Sequence, residues 1–137
     1  MKKTTLSIFL LMVIFFSYSV SWGADWKLLN FTDSSYYFYD AENITHPSKD
    51  IVRVWEKVVY TEKGISEVIA ELGEDYENLK ETKTLIEINC KERNSHYLSV
   101  IHYAEDQTVI RDRDIGKKWQ LIIPESIVEF QYKEFCR

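Results

Sequence analysis

Four glycines and two prolines are all that 137 residues contain. Glycine-rich chemistry is therefore excluded. Gly116-Lys117-Lys118 lacks the upstream glycine and the hydroxyl residue of a phosphate loop, and no G-x-S-x-G elbow occurs. Asp112 and Asp114 lack the glycine and distal glutamate of a calcium loop, which makes them a solvated strand end. Histidine is scarce too. His46, His96 and His102 are the only three. His96 and His102 fall six residues apart in one expected strand, on one face and about 20 Å apart, too far to share a metal. No metal and no other cofactor is expected.

Basic residues are outnumbered, 17 against 22 acidic, for a net charge of −5. Nucleic acid and anionic lipid are not the partners such a surface selects. No small-molecule ligand is evident, and there are no internal repeats, low-complexity segments or linkers.

Long hydrophobic runs are absent except at the N-terminus. Lys2 and Lys3 precede an apolar run from Leu6 to Phe16, and small residues follow, with Ser21 and Gly23 at the −3 and −1 positions of a cleavage site. This is the order of a secretory signal peptide over residues 1–23. The run is shorter than the ~20 residues that span a bilayer comfortably. Cleavage would leave residues 24–137 as one exported domain, periplasmic, at the cell surface or extracellular. The mature chain loses two lysines and no carboxylate, and so becomes more acidic. No cysteine stands near the cleavage point to carry a lipid, so no lipid anchor is expected.

The two cysteines, Cys90 and Cys136, both survive cleavage. In an oxidising compartment an even count points to one intrachain disulfide; free buried thiols or an intermolecular bond are the alternatives. Closing so long a loop contributes about 4 kcal/mol in the chain-entropy model.

What the chain has in quantity is β-forming and aromatic residues. Strands are predicted at Trp26 to Leu29 and at Tyr36 to Asp40, with a turn at 33–35 between them. Asp40 and Glu42 read as turn residues and "AENITHPSKD" as a loop. "IVRVWEKVVY" (51–60) alternates, with Val52, Val54 and Val58 on one face, Arg53, Trp55 and Lys57 on the other, and Glu56 intruding on the valine face. Apolar residues from Ile65 to Tyr76 then recur at helical spacing, which predicts a helix of roughly 66–77 stopped or kinked at Gly73. Alternation returns at "TKTLIEINC", with Ile86, Ile88 and Cys90 on one face. "HYLSVIHYA" and "TVIRDRD" follow as two hairpin-linked strands. Ser126 with Glu129 three residues later fits a capping box for a terminal helix.

The expected fold is α+β: an antiparallel sheet of about six strands, an inserted helix, and a C-terminal helix packed on one face and tethered by the disulfide. The other face is then free. Tyr37, Tyr39, Trp55 and Tyr103 are its candidate interface residues, since Tyr and Trp are favoured at protein interfaces. A symmetric partner, a second layer of core or the inserted helix could cover them. No catalytic residue stands out.

In order and spacing, the early Trp26, "YYFYD", "IVRVWEKVVYTEKG", "IEINC", a Tyr-bearing strand, and Trp119 with Pro124 before a helix ending at Cys136 resemble the surface-adhesin protein E family. The resemblance implies a small antiparallel sheet with a disulfide-tethered helix and a homodimer formed through the sheet. It also implies adhesion to host extracellular-matrix or plasma proteins such as vitronectin, laminin and plasminogen. The name-giving adhesin is a lipoprotein; this leader has no lipidation cysteine. The first functional reading is a non-enzymatic binding module at the bacterial envelope. The second is a periplasmic structural or accessory protein with a bacterial partner. A hydrolase, marked by paired desolvated carboxylates, is the third and weakest.

Overall fold

The computed structural model describes residues 23–114 and 118–137. The leader expected at 1–23 falls outside them except for Gly23. Strands β1 (Trp26–Phe31), β2 (Ser35–Asp40), β3 (Thr45–Ser48) and β4 (Ile51–Tyr60) come first. Helix α1 (Glu62–Leu72) and a 3-10 turn (Glu74–Tyr76) follow. Strands β5 (Leu79–Asn89), β6 (Asn94–Ala104), β7 (Val109–Asp114) and β8 (Gln120–Leu121) lead to helix α2 (Ile127–Phe135). The strands form one antiparallel sheet in the order β1-β2-β4-β5-β6-β7, with β3 beside β4 and β8 beside β6. The α+β architecture with an inserted and a C-terminal helix is as the sequence predicts.

The turns are made by side chains that hold the backbone locally. Thr32 Oγ1 accepts from the amides of Ser34 and Ser35, Asn89 Oδ1 from those of Lys91 and Glu92, and Asp106 Oδ1 from that of Thr108. The segment read as a loop contains β3, four residues paired to the start of β4. It is short enough and far enough toward the edge to tolerate Pro47, which offers no ladder donor.

Helix α1 begins earlier than its apolar periodicity indicates. Thr61 Oγ1 accepts from the Gly64 amide at 3.3 Å and caps the first turn. Gly73, at φ 107°, ends the helix, so residues 74–76 form a separate turn. At α2, Ser126 Oγ accepts from the Glu129 amide. Glu129 reaches back to the Glu125 amide rather than to that of Ser126, a shifted version of the reciprocal cap.

Among the described residues both helices lie on the same face of the sheet, α2 over Val54, Ile86 and Ile88 and α1 with Gly64 beside the Tyr60 ring. Beneath α2, Val54, Ile86 and Ile88 are fully buried, with Tyr39, Tyr97, Val128, Tyr132 and Phe135 packed around them. The Phe135 ring meets Tyr39 edge-on at 5.0 Å. Cys90 and Cys136 are bonded, with Cα atoms 5.3 Å apart, and the Tyr132 hydroxyl donates to the Cys90 carbonyl. This pins the final turn of the chain to the end of β5. At the other end of the same face, Tyr60, Thr82 and His102 form a hydrogen-bonded row, and buried Tyr76 stands edge-on to His102 at 5.2 Å.

Glu56, the intruder among the valines, is 7% exposed and accepts a hydrogen bond from Gln131 of α2, which is completely buried. The sequence pattern marks the anomaly, and its partner lies 75 residues away.

Candidate interaction face

Among the described residues, the opposite face of the sheet carries no helix. Residues paired directly across strands share a face, so the register assigns them. Lys57 stands opposite both Phe38 and Lys83, Trp55 opposite Leu85, and Arg53 opposite Glu87. Lys83 in turn faces Ile101, and Glu81 faces Tyr103. Trp26, across from Asp40, joins them at the edge. The result is a stripe of half-buried aromatic and aliphatic side chains running from β1 to β6, interleaved with lysines.

The lysines lie on the rings. Lys57 Nζ is 4.6 Å from the Trp26 ring centre and 5.1 Å from that of Phe38; Lys83 Nζ is 4.8 Å from that of Tyr103. Such stacking favours the ammonium through the ring quadrupole. Burial and the neighbouring Lys83 push the Lys57 amine below its ordinary value, while Glu81 opposes the shift. Lys83 is also paired with Glu81 at 3.2 Å. Between the rings lies a shallow cavity of about 270 Å³ lined by Trp26, Asp40, Trp55, Lys83, Ile101 and Tyr103. Asp40 is buried and its carboxylate is committed to the loop. It accepts from the amides of Asp25 and Glu42 and from the Asn43 side chain.

Beside this cavity is a buried polar cluster. Glu87 Oε1 accepts from Arg53 Nε at 2.9 Å and from Nη2 at 2.5 Å. Its Oε2 is 2.6 Å from His96 Nε2; an ionised carboxylate only accepts, so the ring nitrogen supplies the hydrogen of that bond. The His96 ring stacks on Trp119 at 4.0 Å, and its Nδ1 is buried without a hydrogen-bond partner among the described residues. Burial opposes the charge on Glu87, but the bonds from His96 and Arg53 outweigh it and hold the carboxyl below the ordinary glutamate value. This is a well-satisfied carboxylate that locks three strand positions and the Trp119 ring.

The four residues expected on the free face divide. Trp55 and Tyr103 line its cavity. Tyr39 pairs with Glu56 and Tyr37 with Val58, which places both on the helix-covered face; Tyr39 packs against Phe135. Alternation separates Tyr37 and Tyr39 from Phe38, but only the β2–β4 register decides which set meets Trp55. The expectation that His96 and His102 share a face is also overturned. Leu85 pairs with Ser99 and Ile86 with Tyr97, so Leu98 is an extra residue on β6. This bulge turns His96 to the open face while His102 bonds to Thr82 on the other.

Trp26, Phe38, Lys57 and Lys83 belong to the stripe although the sequence reading did not single them out together. The alternation of β4 places Lys57 beside Trp55, whereas nothing local links Trp26 to them. Among the described residues no three His, Cys, Asp or Glu side chains come together as a metal site, and no helix is long and apolar enough to cross a membrane. The carboxyl that burial raises most, Glu56, pushed up to about 7, is bonded to an amide and not to a second carboxylate.

No curated protein and no solved structure matches the chain. A family model does, the one described as surface-adhesin protein E, and it aligns with residues 26–137, from the first strand through the disulfide-pinned terminus. The chain belongs to the surface-adhesin protein E family.

Proposed function

We propose that this protein is an exported, non-enzymatic binding module that holds a protein partner on the open face of its sheet. Family membership supports a surface adhesin-like role. The observation that carries the reading is the asymmetry of the sheet. Both helices of the described residues lie on one face, while the other bears Trp26, Phe38, Trp55, Ile101 and Tyr103 in a continuous stripe. Aromatic side chains bring large contact area at low entropic cost, and a central aromatic cluster ringed by charges is the anatomy of a protein-binding surface. Extracellular-matrix or plasma proteins are the partner class that the family points to, and a second copy of the chain is the other occupant that such a face fits.

The experiment is direct binding of purified residues 24–137 to immobilised vitronectin, laminin and plasminogen. Trp55→Ala and Tyr103→Ala serve as face variants and Phe130→Ala as a distant control. Saturable binding lost in the face variants and kept in the control is the expected result. Absence of binding to all three would move the reading to an envelope protein with a bacterial partner. The export step is tested by N-terminal sequencing of the secreted protein, which should begin at Ala24.

A further inference from the structure

We propose that Glu56 and Gln131 form a proton-dependent latch that fastens helix α2 to the sheet when the carboxyl is neutral and loosens it when the carboxyl ionises. This concerns the helix-covered face and stands apart from the binding role of the open one.

A primary amide brings both donors and an acceptor; an ionised carboxylate can only accept, while a neutral one also donates. Gln131 Nε2 donates to Glu56 Oε2. Gln131 Oε1 is buried and has no partner among the described residues. An ionised Glu56 can do nothing for that oxygen. A neutral Glu56 carries an O–H that completes the pair: the amide N–H donates to one carboxyl oxygen, and the other, protonated, donates to the amide oxygen. Two reciprocal bonds then join β4 to α2, and no buried acceptor is left unmade.

The surroundings favour the neutral form. Tyr39 on β2 and Thr84 on β5 are the cross-strand neighbours of Glu56. Tyr37 on β2 and Tyr97 on β6 also feel its charge, and Glu67 on α1 acts on Tyr37. Burial, chiefly, raises both tyrosines, Tyr97 to about 12, so neither ionises near neutrality. On the same face His102, bonded to Thr82, is pushed down by burial and by Arg111 and Arg113. Lys57 on β4 itself and Lys83 on β5 point to the opposite face. Lys63 of α1 and Lys133 of α2 are exposed and paired with Asp33 and Glu129. A carboxylate at Glu56 would thus be buried without a counter-ion among the described residues, which is costly, and burial accordingly pushes its carboxyl up to about 7.

A glutamate raised in the folded state binds more protons folded than unfolded. Its neutral form matches the fold below the ordinary value of 4.5, and stability is lost as pH rises from there through about 7. Because Cys136 remains bonded to Cys90, the helix cannot leave; the turns carrying Val128 and Gln131 loosen about that tether.

The test compares wild type with Glu56→Gln by urea unfolding from pH 5 to 8, alongside a carbon-13 titration of the Glu56 carboxyl and hydrogen exchange of α2 amides. The wild-type folding constant should fall on the order of a hundredfold across this window from Glu56 alone. Glu56→Gln, which keeps both reciprocal bonds as an amide pair, should lack that component; other titrating groups are common to both proteins and cancel in the difference. The carboxyl should titrate near neutrality, and α2 amides, corrected for intrinsic rate, should exchange faster above it. Identical pH profiles for the two proteins, or a Glu56 midpoint below 5, would overturn the latch. Should Glu56→Gln not fold, the wild-type carboxyl titration and α2 exchange decide alone.

Discussion

The ammonium of Lys57 lies 4.6 Å from the centre of the Trp26 ring, bridging β4 to the edge strand β1 across the Phe38 ring of β2. The lysine stem covers apolar surface that would otherwise meet water, and the rings are held in place before any partner arrives. Trp55, next but one along β4, is half-buried in the same stripe. If a second copy of the chain covers this face, Trp55→Ala should weaken association by more than about 1 kcal/mol and shift unfolding less. Sedimentation across a concentration series measures the first and urea unfolding below the dissociation constant the second. A wild type that stays monomeric at high micromolar concentration would exclude the self-association and leave the face to another partner.

Cys136→Ser should lower stability by about 2–5 kcal/mol. The bond closes a separation of 46 residues and holds α2 over Val54, Ile86 and Ile88. Unfolding in urea with and without reductant measures the loss. The oxidised wild type should give no thiol signal even when denatured.

Glu87 has the opposite linkage to Glu56. Its carboxyl is depressed, with burial opposing and the His96 and Arg53 bonds prevailing. It binds fewer protons folded than unfolded. Its contribution is present above the ordinary glutamate value of 4.5 and lost as pH falls through the lower folded one. Glu87→Gln should cost about 1–3 kcal/mol at neutral pH, since the buried His96 and the half-exposed Arg53 lose a charged acceptor. It should also flatten the decline of stability between pH 5 and 3, read from urea midpoints.

Gly64 sits in the first turn of α1, where an added Cβ would lie 2.0 Å from the Ser34 carbonyl oxygen. The obstacle is backbone, which cannot swing away. Gly64→Ala should therefore destabilise by about 1–3 kcal/mol despite the better helix propensity of alanine. Thermal unfolding checks the sign, and Ala70→Gly, on the exposed side of the same helix, gives the propensity effect alone.

Periodicity along the chain was enough to determine the order of the six longer strands and two helices, the valine face of β4 and the cap at Ser126, because each is written within a few residues; the short strands β3 and β8 carry no such rhythm. The even count of cysteines raised the expectation of one intrachain bond, with free thiols or an intermolecular bond as alternatives, and the Cys90–Cys136 bond bears it out. The start of α1 was legible only in part, since its cap at Thr61 lies before the apolar rhythm begins. Tertiary structure alone decided the rest. Strand register put Tyr39 under α2 and Phe38 beside Lys57. One extra residue, Leu98, sent His96 to Glu87 rather than to the face of His102. Gln131 found Glu56 across 75 residues. In each case the deciding quantity is the alignment of one element against another. A shift of a single residue there reverses every side chain that follows, and no local pattern of residues records it.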